Sequence, residues 1–244
     1  MLLVAGVQAQ AEQVVAGLSQ SRVAITANFD GSEIMIYGAV AREAPMPETP
    51  PNVIVTIEGP AVPVTVRRKS REVGIWINTS SVRISRAPAF YAIATTGPLA
   101  DILSDTEDVR HKISINRAIR AVGAATQADD SPAFTDALIR LQKGLGNYLT
   151  AEGSVVIDQG TLFRADVVLP ANLTEGLFRA RIFLLRDGEV LDVQETLIDV
   201  HKDGIERFLH RLAFNNPVIY GLLALVIAAL AGWGASAAFG VLRR

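Results

Sequence analysis

Residues 176–200 read GLFRARIFLLRDGEVLDVQETLIDV. Two runs rich in β-branched and large apolar residues flank Asp187-Gly188. A two-residue hairpin loop of type I′ needs positive φ at both central positions, and Asp-Gly is a pair that tolerates it. The stretch therefore predicts two antiparallel strands with Gly188 in the left-handed region. Just upstream, TLFRADVVLP (161–170) sets Phe163, Ala165, Val167 and Leu169 against Arg164, Asp166 and Val168. That period of two belongs to a half-buried strand. Strands over 151–202 alone make at best half an immunoglobulin-like sandwich, so the rest of the chain must supply partners or a second module.

The same patterning runs from Arg22 to Arg86. RVAITANF (22–29) and SEIMIYGAV (32–40) flank Asp30-Gly31, which predicts another tight hairpin. APMPETPPN (44–52) is a proline-rich loop, because proline cannot donate to a sheet ladder. VIVTIEG, VPVTVRRKS, EVGIWIN and SVRISRA then alternate apolar and polar residues at the spacing of a sandwich or barrel. Trp76 in this stretch is read as a core anchor, with an exposed aromatic for a partner as the alternative. Arg67, Arg68, Lys69 and Arg71 read as a solvated turn that also keeps an edge from pairing; an anion or lipid-headgroup contact is the functional alternative.

Between these β segments the period changes. Phe134, Ala137, Leu138, Leu141, Leu145 and Tyr148 fall at helical spacing behind Ser131 and Pro132, a helix-start pair. TEDVRHKISINRAIRAVG (106–123) reads as a further helix with Val109, Ile113, Asn116 and Ile119 inward, although Ile115 breaks the pattern. The expected fold is mainly β. Two packed immunoglobulin-like or sandwich β modules (20–87 and 151–202) carry a helical insert (88–150), and one C-terminal transmembrane helix follows. Residues 151–202 completing the first module is the alternative.

The ends concern the membrane. From Val218 to Leu242 the chain PVIYGLLALVIAALAGWGASAAFGVLRR (217–244) carries no charge before Arg243 and Arg244. At about 1.5 Å per residue, 217–242 exceeds the roughly 30 Å hydrocarbon core. Ala224, Ala228, Gly232, Ser236 and Gly240 recur every four residues and form a small-residue ridge suited to close helix packing. KDGIERFLHRLAFNNP (202–217) puts Ile205, Phe208, Leu209 and Leu212 on one helical face and Arg207, His210 and Arg211 on the other. The juxtamembrane stretch 203–216 is thus an amphipathic interface helix, and Arg207, Phe208, Arg211, Tyr220, Arg243 and Arg244 are the candidate interface residues. Residues 1–11, MLLVAGVQAQA, resemble the tail of a secretory signal without its basic start. With such a signal, the β part lies outside the cytoplasm and the Arg pair inside, as for a single-pass bacterial inner-membrane protein with a periplasmic domain.

Chemistry is sparse. The chain of 244 residues has no cysteine, which removes disulfides, thiolate metal sites and cysteine nucleophiles. A formal charge of −2 offers no basic field for nucleic acid. His111, His201 and His210 are scattered without ligand spacing, and no nucleophile elbow or phosphate-binding loop occurs. Glu107-Asp108 and Asp129-Asp130 read as capping or solvated charge. No catalytic, cofactor or metal residue is assigned, and the chain is not expected to be an enzyme.

APAFYAIATTGPL (87–99), TLFRADVVLP, the Asp187-Gly188 hairpin, VHKDGIERFLHRLA (200–213) and the apolar span together resemble a family of alphaproteobacterial transmembrane proteins. The likeness covers nearly the whole chain and is most specific in the C-terminal third. That family has no established activity or catalytic residues, so the resemblance carries no site over. Its genes often neighbour a sulfite-exporter-like permease, so the resemblance implies an accessory role at a transporter. The expectation is a membrane-anchored periplasmic interaction or accessory protein, in contact with the bilayer and with a membrane-protein partner or a second copy through its helix. A tethered ligand-binding or enzymatic domain is the alternative, because pockets often have no linear signature.

Overall fold

The computed structural model describes residues 12–26, 29–43, 45, 47–120, 131–202 and 212–242. The chain divides into two units, Met1–Val23 with Phe29–His201, and Ala24–Asn28 with Lys202–Arg244. The first unit carries the β framework. One four-stranded sheet has the order β1-β3-β10-β9, from Gln13–Leu18, Ser32–Ala41, Leu162–Leu169 and Val156–Asp158. A six-stranded sheet has the order β2-β12-β11-β4-β7-β8, from Arg22–Ile25, Glu189–Lys202, Gly176–Arg186, Asn52–Glu58, Tyr91–Thr95 and Tyr148–Ala151. A long hairpin joins β5 (Ala61–Glu72) to β6 (Ile75–Pro88). Helices α1 (Leu99–Ile102), α2 (Asp105–His111), α3 (Ile115–Ala118) and α4 (Ser131–Gly144) fill the crossover between the parallel strands β7 and β8.

Mainly β with one apolar C-terminal helix is what the patterning predicts. The division into two modules is different. Strands from 20–87 and 151–202 share both sheets: β3 pairs with β10 (Ile36 opposite Ala165), and β4 pairs with β11 (Val55 opposite Ile182). Neither segment has enough inward-facing strands to close its own core, whereas the interleaved sheets bury both.

In the four-stranded sheet Ile34, Ile36, Phe163, Ala165, Val167 and Leu169 point inward, as their period of two requires. The six-stranded sheet is covered on both faces. Ile54, Tyr91, Ile93, Phe183 and Leu185 join one cluster with Val66, Val82 and Ile84 of the hairpin base, Ile113, and Phe134 and Leu138 of α4. Val53, Val55 and Ile57 alternate to the opposite face and are as deeply buried. Double-sided burial explains why β4 reads VIVTI, nearly continuous apolar residues. Each such Ile or Phe contributes roughly 1.5–3 kcal/mol relative to exposure. The outer edge of β1 is closed by side chains: the Val14 N–H donates to Asp192 Oδ2 at 2.7 Å, and Gln194 Nε2 donates to the Ala16 carbonyl at 3.0 Å. Both partners come from β12, so this edge is not open to another chain.

The Asp187-Gly188 turn is as expected, with φ of 51° and 83° and Arg186 opposite Glu189. Asp30-Gly31 is not a hairpin. β2 lies in the six-stranded sheet and β3 in the four-stranded one, so the dipeptide carries the chain between sheets. Gly31, at φ 122°, sits where an added Cβ would come within 2.8 Å of the Leu169 carbonyl oxygen. EVGIWIN and SVRISRA are not separate strands: Val73-Gly74 is itself a two-residue turn (φ 49° and 87°), and both runs continue into β6.

The helical stretch at 106–123 is two short helices in its described part. Lys112 takes the left-handed conformation (φ 53°) and ends α2; Ile113, Ile115 and Ile119 are buried while Val109 and Asn116 face solvent. Ile115, out of phase for one helix, is in phase for two. In α4, Phe134 and Leu138 are buried, but Leu141 and Leu145 are exposed and Tyr148 belongs to β8. The helix stops at Gly144, and the Tyr148 hydroxyl donates to the Pro88 carbonyl at 2.9 Å.

Candidate functional site: an apolar helix, an exposed hairpin and a basic cleft

In the second unit, residues 212–215, the described part of the expected juxtamembrane helix, are helical and precede helix α5, Pro217–Leu242. Pro217 takes the first helical position, where its missing N–H leaves no bond unmade. The 26 residues of α5 reach about 39 Å at 1.5 Å per residue, more than the hydrocarbon core requires. Its window Pro217–Gly234 has mean hydropathy 1.9 and none of it is buried by protein. Ala224, Ala228 and Gly232 of the ridge are exposed, and a Cβ on Gly232 would meet nothing within 4 Å. Ser236 and Gly240 continue the helix, with side chains outside the description. Of the interface residues, Tyr220 lies on α5 and is exposed. Arg207, Phe208, Arg211, Arg243 and Arg244 lie outside the described residues, as do the signal-like segment 1–11 and all of 203–211.

The β5–β6 hairpin corrects two readings in the first unit. Its base is core, but beyond Val66 and Val82 it leaves the packed cluster. Trp76 is no core anchor: it is 67% exposed near the tip, with Val73 and Ile75 also exposed. The basic run is not a turn but strand. Arg71 stands opposite Trp76 and Lys69 opposite Asn78, so Arg67, Lys69, Arg71 and Trp76 share one face. Arg68 alternates to the other face and stacks 4.7 Å from the Phe134 ring centre. Sequence reasoning missed this because a Val-Gly turn lacks the Asp or Asn that marks type I′ loops.

A cleft of about 360 Å³ lies where β4, β6, β11 and the α2–α3 region meet. Arg86, Lys112, Arg117, Arg120, Arg179 and Arg181 line it with one carboxylate, Glu58. Glu58 is buried and pairs with Arg86 at 3.2 Å. Arg181 donates through Nη1 to the His111 carbonyl (2.7 Å) and through Nη2 to the Lys112 carbonyl (3.2 Å), where a cation suits the C-terminal end of α2. Nη2 also donates to the Tyr91 hydroxyl at 3.3 Å, which itself donates to the Ile113 carbonyl at 2.8 Å. Burial pushes the Tyr91 phenol up to about 12, partly opposed by Arg181 and reinforced by Glu58. Arg179 pairs with Glu195 at 3.2 Å, and Arg117 lies 3.9 Å from Asp108. No sequence signal marks the cleft, because its cations come one or two at a time from distant segments.

The remaining polar candidates do not converge. Glu107 is buried on α2 and pairs with Arg110 (2.8 Å) and His111 (3.3 Å). Asp108 accepts from the Ser114 N–H and hydroxyl, both at 2.7 Å, which fixes the loop after α2. His201 stands at the end of β12 beside Asp199; His210 and Asp129-Asp130 lie outside the described residues. Among the described residues no group of three His, Asp or Glu side chains is placed to hold a metal.

Among the described residues, a β-rich unit and one uncharged helix long enough to cross a bilayer define a mainly β protein with a transmembrane helix. The family described as "Putative transmembrane protein (Alph_Pro_TM)" matches residues 13–240, and the chain belongs to that family. No curated protein matches it. Among solved structures, the cohesin module from Clostridium perfringens ATCC13124 family 33 glycoside hydrolase overlays 80% of this chain and 99% of its own. The identity is 8% and the TM-score 0.25, too loose to bear on fold or function.

Proposed function

We propose that this protein is a non-catalytic, membrane-anchored interaction protein, with its β unit in the periplasm and α5 packed against a membrane-protein partner or a second copy. The observation that carries the reading is α5 itself, a charge-free helix exposed throughout its described side chains and bearing small residues every fourth position. Hydrophobic burial drives no association within lipid, so close packing over small residues is what such a helix can use. Four residues advance about 400° on a 3.6-residue helix, so the ridge drifts slowly and suits a right-handed crossing. An accessory role beside a transporter is the partner class that the family resemblance favours.

The test is crosslinking and mild-detergent co-purification of full-length Gly232→Leu, Leu230→Ala and wild type from membranes. Leucine is more apolar than glycine, so insertion survives, while its bulk holds the partner helix away. Gly232→Leu is expected to lose the partner and Leu230→Ala, off the ridge, to keep it. If both variants retain the partner equally, α5 is a plain anchor and the interaction reading fails.

A further inference from the structure

We propose that the cleft between β4, β6, β11 and the α2–α3 region is a binding site for a small, multiply charged oxyanion of the phosphate or sulfate class. The first ground is charge. Among the described residues six cations line the cleft against Glu58, and even with the partners at its rim, Asp108 and Glu195, the cations remain in excess. Lys112 and Arg120 have no carboxylate within ion-pair distance among the described residues. Like charges gathered in a concave, partly desolvated place repel one another more strongly than on an open surface, and a bound anion relieves that repulsion. The second ground is chemistry. Five of the six cations are arginines, whose planar forks present paired N–H donors at the spacing of two oxygens on phosphorus, sulfur or carbon.

The third ground is how the cleft is held. Arg181 is locked by the α2 carbonyls and Tyr91, and its Nε is buried without a hydrogen-bond partner in the protein. Arg86 is held by the buried Glu58. The backbone of Arg120 is fixed by a reciprocal bridge to Arg86, with N–H to carbonyl distances of 2.8 and 3.1 Å. Fixed arginines therefore form the wall, and Lys112 and Arg120 are lining cations that carry no ion pair among the described residues. At about 30 Å³ per water, the volume exceeds a bare sulfate and leaves room for a substituent on the anion.

The experiment uses full-length protein in uncharged maltoside micelles at constant ionic strength, with inorganic phosphate and sulfate as probes by titration calorimetry. Saturable binding of either probe is expected, with chloride failing to compete at the same concentration. Lys112→Gln with Arg120→Gln is expected to weaken binding at least about tenfold, with the melting temperature in the absence of anion unchanged. Arg164→Gln, on the four-stranded sheet and paired with Asp166, serves as the control and should bind as wild type. A site with a Kd of 1 mM is about nine-tenths filled at 10 mM probe, so no saturable signal by then overturns the proposal. So does a double variant that binds as wild type. Repeating the titration in phosphatidylcholine and phosphatidylglycerol nanodiscs separates two sources of the same chemistry. Suppression by phosphatidylglycerol marks a lipid headgroup as occupant, and equal binding in both marks a free anion.

Discussion

At Gly188 the backbone stands at φ 83°, and a Cβ would touch nothing closer than 3.5 Å, so space is not the constraint there. Conformation is. A β-branched side chain in the left-handed region clashes with its own backbone, at about 1–2 kcal/mol. Gly188→Val is expected to lower the stability of the β unit by that amount in urea unfolding followed by circular dichroism; a change under a few tenths would show that the turn can relax. The same fold keeps Val73 at φ 49° in the other two-residue turn, where nothing surrounds Gly74 within 4 Å. Val73→Asn therefore has room to relieve strain and is expected to raise the unfolding midpoint slightly, and a lowered midpoint would speak against a strained turn.

As an element, the β5–β6 hairpin has two halves with different physics. The half near Val66, Val82 and Ile84 is core; the half from Arg67 to Ser81 makes its backbone ladder in solvent. Trp76 belongs to the second half, so Trp76→Ser is expected to change stability by less than about 1 kcal/mol. In a Trp233→Phe background, the fluorescence of Trp76 in micelle-solubilised protein should be that of a water-exposed indole. A blue-shifted emission, or a loss of several kcal/mol on substitution, would return Trp76 to a buried role. α4 is the opposite case. Its buried face is narrow, Phe134, Leu138 and Ile139, because the helix lies on a hairpin base rather than inside a bundle.

Across the whole first unit, two buried phenols pin the layers together. Tyr91 on β7 bonds the loop after α2, and Tyr148 on β8 bonds the Pro88 carbonyl. Burial raises both above the usual tyrosine value, Tyr91 up to about 12, and Glu58 adds to each shift. Unfolded phenols lose their protons near pH 10. Above that pH the unfolded state holds fewer protons than the folded one, so stability falls as pH rises through the folded values. Urea midpoints are expected to decline from about pH 10 upward, and the decline should be shallower in Tyr91→Phe. A midpoint flat to pH 11 in wild type would show that these phenols are not protected by the fold.

By itself the sequence determined what depends on local period and local turn chemistry. The alternation in TLFRADVVLP, the Asp187-Gly188 hairpin, α4 behind Ser131-Pro132 and the uncharged run from Val218 to Leu242 are each written in a few adjacent residues. They were sufficient for a mainly β chain with one apolar helix. Tertiary structure decided what depends on partners. Asp30-Gly31 has hairpin chemistry, yet β1 and β10 occupy both edges of β3, so its turn became a crossing between sheets. Trp76 has a core residue's chemistry, yet it lies beyond the cluster that could have buried it. Two β segments separated by the helical crossover became one interleaved framework, since pairing across segments buries faces that neither can bury alone. The basic cleft is the furthest from the sequence. Arg86, Arg120 and Arg181 are ordinary surface residues in a linear reading, and only the meeting of β4, β6 and β11 with the α2–α3 region concentrates their charge.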